Sequence, residues 1–466
     1  MRAALKLELR PMLHIAAPLA LAELGWMIMG IVDTVMVGHL SNSAQAIAAV
    51  SLGSILFYTV AVWGISIFLG LDSVVSHDFG AGRIGDCHRW LLNALYIAIP
   101  FTPVLMFLVW LWNPILRTMG ADPEVSRLAI PYMNTLNWSV PGLVLYAVFR
   151  RYLQSMNHAR IVMFALLSAN LVNLVANWIF VYGNLGAPAL GVRGSGLATT
   201  ASRLYMAAVL IGFAIYYDRR QQTGLFGISF RASWPQIVRL LRLGIPASAQ
   251  VCIEIGVFAL TAALIARLDA TSLAGHQIAL NAASATYMVP LGIGSAAAVR
   301  VGQALGRKDP HAASRAGWTA IALGVSFMTF AAILFLTLPR FIAMMYTHDT
   351  AVIRMAVTLF AIAAVFQIFD GTQVVVTGAL RGAGNTHTPM LVHLFGYWAV
   401  GLPIGYWFCF NRHWGAPGMW IGLCIALILI GAAQLTMWRR TIHKILSSPA
   451  VVTVPMLEPE EHEWKI

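Results

Sequence analysis

Nearly the whole chain divides into long apolar runs separated by short polar turns, and that pattern leaves few folds open. A helix needs roughly 20 apolar residues to cross a bilayer. Inside hydrocarbon every backbone N–H and C=O must be paired within the protein, so only helices and closed barrels can span it. The residue-by-residue alternation of a membrane barrel is absent. About twelve runs of spanning length can be traced, and they leave no stretch for a soluble domain. Charged residues make up 10% and hydrophobic residues 59% of the chain, whereas soluble domains carry about 25% charged residues. The expected class is an all-α membrane protein.

The spans are expected at 12–38, 44–73, 90–112, 125–149, 161–182 and up to 217. After a polar linker they continue at 237–266 and 273–299, with later ones ending near 338, 380, 410 and 440. Three landmarks recur at a nearly constant offset: Pro18 in "AAPLA" with Pro246 in "GIPAS", Leu153 with Leu380, and Pro188 in "GAPALG" with Pro417 in "GAPGMW". A duplicated chain with six spans per copy keeps both copies in the same membrane orientation. Twelve helices in two six-helix bundles, related by a pseudo-two-fold axis along the membrane normal, are therefore predicted. The divisions are an N-lobe at 1–217, a cytoplasmic linker at 218–236, a C-lobe at 237–440 and a tail at 441–466. The tail holds the acidic run "EPEEHE" and is expected to be disordered.

The net charge of +12 does not call for nucleic acid. Most of the 30 Lys and Arg residues fall in the even-numbered turns and the two tails, as the positive-inside rule requires of cytoplasmic loops. Both termini are expected in the cytosol and the chain in the cytoplasmic (inner) membrane, among lipids. Cys87, Cys252, Cys409 and Cys424 are far apart, form no CxxC pair and read as packing residues. The zinc-protease, serine-hydrolase and P-loop patterns are missing, so no enzyme and no cofactor beyond a coupling ion is expected. No feature points to an oligomer, and a monomer is expected.

Function has to come from polar groups at bilayer depth. A charged side chain there costs roughly 2.5–3.5 kcal/mol on insertion scales and persists only where it faces a polar interior. Five acids fall inside the spans: Glu23, Asp33, Asp72, Glu254 and Asp370. Asp72 lies close to a helix end, where pairing with a loop explains it, and Glu23 allows either reading. The other three have polar company at helical spacing. Gln250, Glu254 and Thr261 share one face of span 7; Gln277, Asn281 and Ser284 one of span 8; Asp370, Gln373 and Thr377 one of span 10. Asn170, Asn173 and Asn177 do so on span 5. Amides and hydroxyls bond helices together for about 1 kcal/mol each, but that role does not need an ionisable group. Desolvation favours the protonated form of a carboxylate, and oxygen neighbours let it hold a small hard cation. One anionic site cannot satisfy two cations at once, so an inward proton or Na⁺ would displace an organic cation. His276 beside Gln277 reads as a hydrogen-bonded packing pair. The 20 Met and 50 aromatic residues suit a promiscuous pocket, although most of them serve lipid and packing.

The motifs "VDTVMVGHL", "GLDSVVSHDFGAGR", "GIPAS", "AGHQIALN", "RVGQALGR" and "DGTQVVVTGALRGAGNT" resemble those of the multidrug and toxic compound extrusion family, in its NorM-like bacterial branch. The resemblance runs from about Pro11 to Trp438. It implies a cation-coupled exporter of small organic compounds, often cationic drugs. It places the family's first-helix aspartate on Asp33, its fifth-helix polar pair on Asn173 and Asn177, and its sixth-helix threonine on Thr199. The C-lobe acids fall on Glu254 and Asp370, with Gln277 and Asn281 beside them. Glu254 and Asp370 would be the metal ligands if the ion is Na⁺. Where some sodium-linked relatives carry a tyrosine one turn before the span-10 aspartate, this chain has Phe366, which leaves the choice between Na⁺ and H⁺ open. A lipid-linked oligosaccharide flippase of the same superfamily would want basic residues in the N-lobe cavity, and a multi-span receptor or intramembrane enzyme would not need the repeat.

Overall fold

A computed structural model describes residues 2–41, 43–118 and 122–447. Twelve helical spans follow one another: α1 Arg2–Gly38, α2 Ser43–Gly80, α3 Ile84–Leu116, α4 at 123–155, α5 Ala159–Tyr182 and α6 Val192–Gln221 form the first half. The second half consists of α7 Trp234–Ile265, α8 Ala270–Gly306, α9 Pro310–Thr337, α10 Thr350–Gly382, α11 at 387–411 and α12 Ala416–Ser447. Ten of these are continuous and apolar enough to cross a bilayer on their own. The two others are interrupted. α4 breaks between Asn137 and Val140, just before Pro141, where the ring removes a donor and crowds the preceding turn. α11 alternates between α-helical turns and the π-helical stretches Leu394–Gly401 and Trp407–Asn411, after Pro389 and Pro403. Wide turns of this kind concentrate at functional positions.

The halves repeat one set of neighbours. α1 packs on α5 as α7 does on α11, α2 on α4 as α8 on α10, and α4 on α6 as α10 on α12. Pro18 and Pro246 lie inside the continuous helices α1 and α7 at corresponding places. The break between the halves is shorter than the sequence suggests, since α6 continues to Gln221 and α7 begins at Trp234. Likewise α12 continues past 440 to Ser447. The remainder of the expected tail, 448–466, lies outside the described residues.

With an even number of spans the start of α1 and the end of α12 lie on one side, called here the termini face. The lobes meet on that side. One apolar cluster fills the N-lobe and continues into the termini-side ends of the C-lobe helices through Leu240, Ile293, Val301, Val375 and Trp438. The second cluster, including Val257, Ile278, Phe360 and Trp420, belongs wholly to the far half of the C-lobe. The lobes thus share a core at the termini face and keep separate cores towards the opposite one.

Polar contacts across the joint follow the same rule. Arg300 of α8 pairs with Glu8 of α1 at 2.6 Å. Gln303 donates to the Ser155 carbonyl and to Asn157 Oδ1, both at 2.9 Å. Asp72, fully buried, accepts from Gln154 Nε2 at 2.7 Å and pairs with Arg151 at 3.2 Å and with Arg381 of the other lobe at 3.4 Å. Glu23 is paired inside the N-lobe with Arg150. Backbones also touch here: a Cβ on Gly306 would lie 1.9 Å from the His77 carbonyl oxygen, about half an ordinary contact distance. Gly306→Leu is therefore expected to part α8 from α2 at the termini face. Spin labels at positions 78 and 307 would report it as a lengthened distance; an unchanged distance would mean the joint absorbs the side chain elsewhere.

Candidate functional site

Each lobe holds one buried acidic centre. In the N-lobe, Asp33 sits late in α1 and is 5% exposed. Its Oδ1 accepts from Asn173 Nδ2 at 3.0 Å and Asn177 Nδ2 at 2.7 Å, both from one face of α5. Its Oδ2 accepts from Thr199 Oγ1 of α6 at 2.6 Å. The helical spacing of the two asparagines is what lets both reach a single carboxylate. Their own Oδ1 atoms are buried and unpartnered, which leaves acceptor oxygens beside the carboxylate. One turn beyond Thr199, the buried Arg203 donates to Ser139 Oγ at 2.7 Å and Tyr58 Oη at 3.0 Å. Its guanidinium lies over the rings of Phe57, Tyr58 and Trp26 at 4.8, 5.7 and 5.9 Å. The sequence reading did not single out this cation.

In the C-lobe, Gln373 bridges the two acids. Its Nε2 donates to Glu254 Oε1 and to Asp370 Oδ1, each at 3.2 Å. With the amide nitrogen so engaged, Gln373 Oε1 faces His393 Nε2 of α11 at 2.8 Å, and the same nitrogen lies 3.9 Å from Glu254 Oε2. The other ring nitrogen is 2.7 Å from the Pro389 carbonyl and 3.2 Å from Gln434 Nε2 of α12, and Gln434 in turn accepts from Thr377 at 2.9 Å. Four helices, α7, α10, α11 and α12, are tied together through one carboxylate pair. Tyr287 of α8 adds a phenol that donates to Glu254 at 3.4 Å.

Several sequence expectations land elsewhere. Gln277 and Asn281 are exposed on α8 and bond to neither acid; Tyr287 is the α8 residue that reaches the site. Phe366 packs edge-on against Trp420 at 5.6 Å, so the phenol next to Glu254 comes from Tyr287 instead. His276 is buried and accepts from Trp420 Nε1 at 3.0 Å; it packs, but not with Gln277. His393, Tyr287 and Gln434 carried no signal in the sequence beyond being lone polar residues on apolar helices. The four cysteines are free. Among the described residues no three His, Cys, Asp or Glu side chains are grouped to hold a metal ion, so Na⁺ at Glu254 and Asp370 would have to complete its shell with amide and phenol oxygens.

The acids differ sharply in their company. Glu8, Glu23 and Asp72 each have an arginine partner. Among the described residues Asp33, Glu254 and Asp370 have no Arg or Lys within ion-pair distance, and are held by amide, hydroxyl and phenol donors.

The family model described as MatE matches residues 18–179 and, a second time, residues 246–407. The chain belongs to the MatE family. The double match also restates the internal repeat, one copy in each lobe. The probable multidrug resistance protein NorM of Mesorhizobium japonicum is 36% identical over 440 residues, covering 93% of this chain and 94% of that protein. The multidrug resistance protein NorM of Burkholderia vietnamiensis is 36% identical over 437 residues, covering 91% and 92%. Among solved structures, the eukaryotic MATE transporter AtDTX14 superimposes with a TM-score of 0.84 at 19% identity, over 95% of this chain and 99% of that one. An outward-facing multidrug resistance MATE family transporter does so with a TM-score of 0.82 at 20% identity, over 94% and 96%. These structural likenesses speak for the fold: twelve helices in two bundles. MatE-family chains are membrane transporters and not enzymes.

Proposed function

We propose that this chain is a multidrug efflux antiporter of the cytoplasmic membrane, exporting amphipathic organic compounds, mainly cations, in exchange for inward Na⁺ or H⁺. The observation that carries the reading is the division among the membrane acids. Two of the five, Glu23 and Asp72, are neutralised by arginine and serve structure. Asp33, Glu254 and Asp370 have no Arg or Lys partner among the described residues, so their ionised form is costly inside a membrane and a mobile cation relieves it. A proton or Na⁺ relieves it in one half-cycle and the organic cation in the other, and since both need the same oxygens each expels the other.

Two bundles joined at one face and separate towards the other suit rocking about a fixed site. The positive-inside rule supports a cytosolic termini face, rich in Arg83, Arg89, Arg150, Arg151, Arg300 and Arg307, with the joint closed against the cytosol. Both lobes come from one chain, so a monomer suffices. The test is dye export from vesicles of known orientation under a Na⁺ gradient and a pH gradient imposed separately. One of them should drive dye against its concentration difference. Dye movement that ignores both gradients would end the antiport reading.

A further inference from the structure

The first turns of α7 carry a surface feature that export chemistry does not use. Trp234, Val238 and Ile245 are 71%, 37% and 53% exposed, and their spacing puts them on one stripe of the helix. Arg239 and Arg242 lie on the flank of that stripe. They line a groove whose far walls are Ser73 of α2 and Gly384 after α10, so both lobes contribute. The Arg239 guanidinium is set over the Trp90 ring at 5.9 Å. Among the described residues no carboxylate pairs with Arg239 or Arg242. The acids of this face are engaged elsewhere: Asp72 with Arg151 and Arg381, Asp78 with Arg83, Asp86 with Arg83 and Arg89.

Two uncompensated arginines, at the depth where a span enters the membrane and beside an apolar stripe directed along it, match one kind of ligand. The guanidinium forks fit a phosphate, and the stripe fits the acyl chain below it. We propose that this groove binds the headgroup of an anionic phospholipid, with its chain laid along Trp234, Val238 and Ile245. Arg239 and Arg242 are the headgroup residues. The lipid bridges α7 to the end of α2, next to the buried Asp72 cluster, and so braces the closed joint between the lobes. A free phosphate would use the same arginines without the stripe. The assignment does not depend on which cation drives export.

The test uses the full chain in phosphatidylcholine nanodiscs with traces of photoactivatable phosphatidylglycerol or phosphatidylcholine, followed by peptide mapping. Basic groups near a membrane surface favour anionic lipid about fivefold each. With two arginines, adducts within 234–245 should therefore form about 25-fold more with phosphatidylglycerol. Arg239→Gln/Arg242→Gln should bring them to the phosphatidylcholine level, and the Lys/Lys pair should keep them. Should the double variant not fold, Arg242→Gln alone should lower labelling about fivefold. Equal labelling by the two lipids, labelling unaffected by removal of the arginines, or full competition by millimolar inorganic phosphate would each overturn the proposal.

Discussion

Glu254→Gln is expected to lower dye export at least tenfold, to the level of cells without the transporter, while the amount of protein in the membrane stays the same or rises. Asp370→Asn and Asp33→Asn should behave alike. The amides keep the shape of the acids: through its one remaining oxygen Glu254→Gln can still accept from Gln373 and Tyr287, Asp370→Asn from Gln373, and Asp33→Asn from Asn173 and Asn177, while the Thr199 hydroxyl turns to accept from the new amide nitrogen, so packing is preserved. What they remove is the charge that proton, Na⁺ and drug are proposed to share. Removing an unpaired charge from bilayer depth also removes an insertion cost of roughly 2.5–3.5 kcal/mol. Stability gained together with function lost is the mark of a site kept charged against its own folding interest. A structural carboxylate would give the opposite pairing. The measurements are efflux in cells or vesicles, and membrane abundance with a thermal unfolding midpoint in detergent. Efflux at the wild-type level in all three variants would remove the basis of the antiport mechanism, whatever their stability.

The twelve spans, the repeat and the N-lobe centre were legible because each rests on a periodic signal. Asn173 and Asn177 on one face of α5 converge on Asp33 as their spacing requires. Thr199, which spacing alone would not have selected, came from the family resemblance. The C-lobe was only half legible. Helical spacing shows that Gln277 and Asn281 share a face of α8 but not which way that face points, and it points away from the acids. His393 sits in the α-helical start of α11, ahead of the π-helical turns that begin at Leu394, and no acid or amide at helical spacing marks its face as polar. Ion pairs are equally hidden: Glu23 meets Arg150, and Asp72 meets Arg381, across distances that no local pattern records.

The Asp72 cluster gives the second large expectation. Asp72→Asn leaves Arg151 and Arg381, both largely buried, beside each other without the carboxylate that compensates them. Breaking a buried pair by removing one partner costs about 3–5 kcal/mol. Arg151 and Gln154 belong to the N-lobe and Arg381 to the C-lobe, so that cost falls on the state in which the lobes touch at the termini face. In the state where they part, water can reach both guanidiniums and most of the cost disappears. A difference of about 3 kcal/mol is a shift of more than a hundredfold in the ratio of the two states. Asp72→Asn is thus expected to populate a form open at the termini face, to lengthen the distance between spin labels on the two lobes at that face, and to slow export several-fold by holding the carrier there. Arg381→Gln in the same chain removes the second unpaired charge and should restore part of the closed population. That rescue separates the two explanations: an aspartate needed only to fold α2 would be damaged by the first substitution and not repaired by the second. Unchanged label distances in Asp72→Asn would show that the joint is held by packing through Gly306 and Gln303 rather than by charge.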